Sequence, residues 1–323
     1  MYVGNDERVI ALRFFVYGLF VMSMYLTLPQ ILMYITGNTP TIDSSQMLAC
    51  VSCDVSSSMF TGAVVQARAA YVYDIKEQRV LYAKNAETQL PLASITKGMT
   101  ALLAQRYIPS DVLIHITEDD LTLDGDNGLF IGETFSRDDL IDLTLSVSSN
   151  DGAHALARVA GTYMENEEGV SSRVIFIKMM NTTAHELGLA QTFFMNETGL
   201  DESVSAAGAY GSAHDVTLLY THIYATNARM FEATLYPVSS VSSLSRVHVL
   251  HNTDELAGSI SGLAASKTGF TDLAGGNLVV VFEPEPLHPI VAVVLGSTTE
   301  GRFSDIATLV DVTLQSYAPL LLQ

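Results

Sequence analysis

The sequence predicts an α+β fold: an antiparallel sheet assembled from both chain ends and flanked by helices, with a helical subdomain inserted between them. Three observations predict it. Strand-like runs rich in Val, Tyr and Ala lie near residues 69–84. Similar runs return at residues 266–295. The stretch between, from about Ser94 to Ala233, is mostly helical in pattern. An N-terminal transmembrane helix is predicted ahead of this domain.

Taken in order, Phe14 to Ile35 carries no charged residue over about 22 positions, close to the ~20 needed to cross a bilayer. Arg8 and Arg13 precede it and the next basic residue is Arg68. That asymmetry predicts a cytoplasmic N-terminus and an extracytoplasmic domain on a single-pass anchor. A cleaved signal peptide is the competing reading, disfavoured because no small-x-small site follows the run. The predicted organisation is a tail at 1–13, an anchor at 14–36, a Ser- and Thr-rich linker at 37–62 and one domain at 63–320. Ala69–Tyr73 and Arg79–Lys84 predict a hairpin about the turn Asp74–Gln78. Helices are predicted over Ile95–Arg106, Arg137–Leu145, Ala153–Val159, Val174–Leu187 and His214–Ala225, each with helical apolar spacing. Strands follow at Ser266–Thr271, Asn277–Phe282 and Ile290–Leu295, with a closing helix over Phe303–Tyr317.

Composition narrows the function. A formal net charge of −19 repels phosphate backbones, so nucleic-acid binding is not expected. Cys50 and Cys53 are the two cysteines, too few for a four-thiolate metal site, and read as a juxtamembrane pair without a catalytic part. The eight histidines show no H-E-x-x-H or similar spacing and read as surface or packing residues, so no metal is expected.

Three short motifs carry chemistry. Ser94 and Lys97 are spaced i, i+3 where a helix should begin, which puts both side chains on one face. A serine hydroxyl becomes a nucleophile only when a base takes its proton, and lysine serves as that base only when burial or a nearby cation lowers its pKa. Lys267 would supply such a cation. Ser148, Ser149 and Asn150 lie in an expected helix–helix connection, where Ser148 could relay a proton and Asn150 could hold Lys97 or a substrate amide. Lys267, Thr268 and Gly269 open an expected strand. The lysine and threonine offer a cation and a hydroxyl to a carboxylate, the glycine permits close approach of a substrate backbone, and the N–H of Phe270 is a candidate oxyanion donor. Each motif alone has a bland reading as a helix cap, a turn or a strand end. Together and in this order they match the signature of penicillin-binding proteins and class A β-lactamases.

Pro91 to Ala104, PLASITKGMTALLA, resembles the nucleophile helix of the low-molecular-mass D-alanyl-D-alanine carboxypeptidases. The resemblance extends over about residues 65–318 and includes Asn196 to Leu200, NETGL. It implies a penicillin-binding/β-lactamase-like fold, an acyl-enzyme on Ser94, Lys97 as base, and Ser148 and Asn150 in the proton relay. It also implies Lys267 as carboxylate anchor, no cofactor, peptidoglycan stem peptides as substrate and β-lactams as covalent inhibitors. Ser149 and Ala265-Ser266 depart from the family pattern, which could alter the cleft. The β-rich domain and C-terminal anchor of many relatives have no expected counterpart here, so the N-terminal helix would do the anchoring. Rival readings are a peptidoglycan endopeptidase, a β-lactamase-like hydrolase and a non-catalytic wall-binding protein. Glu165 to Glu168 does not resemble the deacylating loop of a β-lactamase.

Overall fold

The computed structural model describes residues 58–125, 128–164 and 169–317. The expected anchor, the two cysteines and the acidic run at 165–168 lie outside the described residues. Among those described, no helix is long and apolar enough to cross a membrane.

The first strands, β1 (Ala69–Asp74) and β2 (Arg79–Lys84), form the expected hairpin. Short strands follow at β3 (Leu90–Pro91), β4 (Leu113–His115), β5 (Thr134–Ser136), β6 (Phe193–Phe194), β7 (Ala209–Gly211), β8 (Val238–Ser242) and β9 (Val247–His251). The last three are β10 (Leu263–Thr271), β11 (Gly275–Phe282) and β12 (Ile290–Ser297). The main sheet has five strands in the order β10-β11-β12-β1-β2, every neighbouring pair antiparallel. Both chain ends therefore share one sheet, with β1 and β12 at its interior. All six residues of β1 are buried, because a central strand covered on both faces loses the in–out alternation of a half-exposed one.

One face packs against the closing helix α6 (Gly301–Tyr317), where Val72, Leu81, Val280 and Ala292 meet Ile306, Leu309 and Val310. Each such side chain contributes roughly 1.5–3 kcal/mol on burial. A polar lock closes the far end of this layer. Tyr317 Oη donates to Asp74 Oδ2 at 2.6 Å, and His288 Nε2 lies 3.0 Å from the same carboxylate. Burial alone would raise the Asp74 carboxyl, but hydrogen bonds from Tyr317, the Glu77 N–H and His288 hold it below the ordinary value.

The remaining helices are α1 (Lys97–Tyr107), α2 (Arg137–Ser146), α3 (Asn150–Thr162), α4 (Ser172–Glu186) and α5 (Ala213–Asn227). Four open on serine caps: Ser136, Ser149, Ser171 and Ser212 each accept a backbone N–H from the first turn. The cap at Ser149 starts α3 at Asn150, earlier than the expected Ala153. Asn150 is thus a first-turn helical residue, not a connection residue. β10 begins at Leu263 and not near Ser266, so the Lys267 triplet lies inside a strand and does not open one.

Candidate active site

Ser94 lies in a 3-10 turn, Ala93–Thr96, that leads directly into α1. The tight turn replaces the start of the expected α-helix and keeps Ser94 and Lys97 one turn apart. Lys97 is 0% exposed. Its ammonium donates to Ser94 Oγ at 2.7 Å, Asn150 Oδ1 at 2.8 Å and the Thr198 carbonyl at 3.0 Å. Those three bonds use its whole donor set. Burial pushes Lys97 down to about 7, with Glu197 pulling in the opposite sense. Of the two causes the sequence offered, burial and the cation of Lys267, desolvation is thus the main one.

Lys267, also buried, donates to Ser148 Oγ at 2.9 Å and to the Thr268 carbonyl at 2.9 Å. Burial first, then repulsion from Lys97 and Arg302, drives its pKa well below the usual lysine value. Thr268 shares a hydroxyl hydrogen bond with Thr253. Phe270, half-exposed, stands two residues further along β10. Asn150 also donates from Nδ2 to the Asp124 carbonyl at 2.7 Å. The fold thus joins Ser94, Lys97 and Asn150 in one hydrogen-bonded group, and Ser148 and Lys267 in another.

Backbone strain sits beside these groups. Ala93 and Ser148 take φ of 48° and 61°, a region that costs a residue bearing a Cβ about 1–2 kcal/mol. Close packing holds the Ala93 segment there. Asn277 Nδ2 donates to the carbonyls of Pro91 and Leu92, both at 3.0 Å. A Cβ on Gly199 would fall 1.9 Å from the Ala93 carbonyl oxygen, and one on Gly269 would fall 2.9 Å from that of Leu92. Gly269 is therefore needed for its approach to the serine segment, a constraint the sequence reading had assigned to substrate.

The two departures noted in the sequence do not open the cleft. Ser149 is buried and caps α3, its Oγ accepting the Gly152 N–H at 2.9 Å. Ser266 is buried and bonds to Thr234.

The D-alanyl-D-alanine carboxypeptidase family matches residues 56–299 of this sequence. The chain belongs to that family. By membership in the D-alanyl-D-alanine carboxypeptidase family it is a serine peptidase. Similar proteins include D-alanyl-D-alanine carboxypeptidase DacF of Bacillus subtilis, 26% identical over 260 residues, covering 78% of this chain and 63% of that one. The chain thus spans a little under two-thirds of DacF. A D-alanyl-D-alanine endopeptidase of Haemophilus influenzae is 27% identical over 249 residues, covering 73% and 77% of the two chains. Among solved structures, Penicillin-Binding Protein D2 from Listeria monocytogenes in its ampicillin-bound form superposes with a TM-score of 0.65 at 30% identity, covering 78% of this chain and 98% of that one. The fold is accordingly the penicillin-binding/β-lactamase-like α+β fold of this family.

Several side chains at this carboxypeptidase-family site had no motif to announce them. Asn277 was detectable as the polar residue in the run Asn277–Phe282, which is otherwise apolar. Arg302, whose Nη1 donates to the Gly269 carbonyl at 2.9 Å, had no local signal. The histidines are also more than surface or packing residues. His154 pairs with buried Glu197 at 2.6 Å, and His248 lies 3.0 Å from Glu133. Among the described residues, Glu87, His214 and Asp215 are grouped closely enough to hold a metal ion, but His214 Nδ1 already lies 3.0 Å from Glu87 Oε1, the spacing of a hydrogen-bonded pair.

Proposed function

We propose that this protein is a serine-type D-Ala-D-Ala carboxypeptidase that removes the terminal D-alanine from peptidoglycan stem peptides through an acyl-enzyme on Ser94. The observation that carries the proposal is the Lys97 amine: buried, lowered to about 7, and 2.7 Å from the Ser94 hydroxyl. A group titrating there is half neutral at neutral pH and can accept the serine proton. Lys97 takes the Ser94 proton as Oγ attacks the penultimate D-Ala carbonyl. The backbone N–H groups of Ser94 and Phe270 receive the oxyanion. Ser148, bonded to Lys267, passes a proton to the leaving amine and is reprotonated with the proton that Lys97 took from Ser94, so D-alanine departs and Lys97 is neutral again. Water then attacks the ester, with Lys97 again as base and Asn150 holding its orientation. Lys267, Thr268 and Gly269 line the place of the substrate's terminal carboxylate, and β-lactams acylate Ser94 as mimics of the same substrate.

The test is D-alanine release from a peptide ending in D-Ala-D-Ala, measured beside Ser94→Ala. Release abolished by the substitution supports the proposal, and release that survives it refutes Ser94 as nucleophile. The similarity to relatives named endopeptidases favours a second reading, cleavage of cross-linked peptides. Comparing free D-alanine with cleavage of cross-linked dimers decides between them.

We further propose a domain at 63–320 tethered by an uncleaved helix at 14–36 and a linker at 37–62, with the catalytic domain outside the cytoplasmic membrane. The uncharged apolar run and the placement of Arg8 and Arg13 support this. Protease treatment of intact spheroplasts would degrade the domain if it lies outside and spare it if it does not.

A further inference from the structure

Glu197 is 0% exposed, and a buried carboxylate needs partners to remain ionised. Its partners come from two helices. His154 on α3 contacts Oε1 through Nδ1 at 2.6 Å, and Arg173 on α4 donates through Nε to both oxygens at 3.0 Å. Its backbone carbonyl accepts Thr100 Oγ1 from α1 at 2.6 Å, three residues beyond Lys97. The next carbonyl, that of Thr198, accepts the Lys97 ammonium, and Asn196 Oδ1 braces the Thr198 and Gly199 N–H groups behind it. The other two acceptors of Lys97 are the neutral oxygens of Ser94 and Asn150. Its proton therefore sits among three neutral oxygens, and the anion acting on it electrostatically is Glu197.

We propose that Glu197, held by His154 and Arg173, is a positioning residue that supplies the buried counter-charge to the Lys97 ammonium and holds the Thr198 carbonyl against it. For its consequence in catalysis this rests on the carboxypeptidase reading; for the charge of Lys97 it does not. Burial alone would raise the Glu197 carboxyl, but the bonds from His154 and Arg173 outweigh burial and keep it low. The carboxylate is thus an anion at neutral pH. The titratable and charged groups facing this cluster are Lys97 from α1, His154 from α3, Arg173 from α4, Lys267 from β10 and, 4.0 Å from His154, the exposed Asp119. Arg173 partly cancels the field of Glu197 at Lys97. The two residues should therefore act on Lys97 in opposite senses.

That opposition supplies the test. The chain has five lysines, so the full-length protein labelled with 13C at lysine Cε gives a spectrum in which Lys97 is identified by its loss in Lys97→Arg. Glu197→Gln should lower the Lys97 titration midpoint by about one pH unit, the scale of a unit charge nearby at an effective dielectric near 20. Arg173→Gln should raise it by a smaller amount, because the Arg173 side chain is 41% exposed and solvent screens it. Midpoints that stay put, or that move in the same direction, overturn the proposal, since a purely structural role would not separate the signs. Arg173→Gln lies on a half-exposed helix turn and keeps the test decisive if Glu197→Gln folds poorly. Labelling of Ser94 by a fluorescent penicillin is followed in parallel. Midpoints that move in opposite senses while no penicillin reacts sustain the counter-charge and sink the carboxypeptidase reading. Penicillin that reacts while the midpoints do not move has the reverse meaning.

Discussion

If Lys97 is the base that activates Ser94, acylation must follow its deprotonation, and the structure sets where that happens. Burial takes the amine from 10.5 to about 7. At pH 7 roughly half the molecules then carry a neutral Lys97, against about one in 3,000 for a solvated lysine. The expected second-order rate of Ser94 acylation by a fluorescent penicillin rises about tenfold per pH unit on the acid side, bends near pH 7 and levels above it. At about pH 5 the rate should be near one hundredth of the plateau. Lys97→Arg keeps a cation in the same pocket but cannot release its proton in this range. It should therefore lose about 10²- to 10⁴-fold in rate on the wild-type plateau and show no bend. A flat wild-type profile, or one still climbing steeply at about pH 9, would refute the assignment of Lys97 as base.

Three further outcomes test the framework around the site. Asn277→Ala removes two hydrogen bonds to the carbonyls of Pro91 and Leu92; it should cost about 1–3 kcal/mol in urea denaturation and slow acylation, and an unchanged rate would show that the serine segment needs no brace from β11. Gly199→Ala must relieve both a φ of +80° and a 1.9 Å approach to the Ala93 carbonyl; a loss of about 4 kcal/mol or more is expected, seen as a lowered midpoint in the same assay. The lock at Asp74 gives a pH dependence. Its carboxyl is lowered on folding, so its stabilisation is present above the unfolded value near 4 and is lost as pH falls through the folded value. His288 is raised, its bonds to Asp74 and Glu285 outweighing burial, so its share is complete below about 6.5 and lost as pH rises through the folded value. Tyr317→Phe should cost about 1–3 kcal/mol at neutral pH and flatten the acid limb of stability.

Much of this protein is written in short-range pattern. Ser94 and Lys97 lie three residues apart on a helical start, a spacing that sets both side chains on one face, 2.7 Å apart in the packed structure. The hairpin, the sheet built from both ends, the closing helix and most helix bodies follow from apolar periodicity, which reflects only how a backbone turns over a few residues. Helix starts shifted where a serine cap reached further than the apolar pattern, as Ser149 did for Asn150. What the sequence could not show depends on elements far apart in the chain. Lys97 is held well below the ordinary lysine value because α1 is buried against α3 and the Asn196–Gly199 turn. Its third acceptor, the Thr198 carbonyl, is 101 residues away. Asn277 reaches back 185 residues to Leu92, and Lys267 reaches 119 to Ser148. Desolvation and long-range pairing belong to the packed whole, so residue order determined which groups could react and tertiary packing decided their charge, their partners and the strain at Ala93 and Ser148.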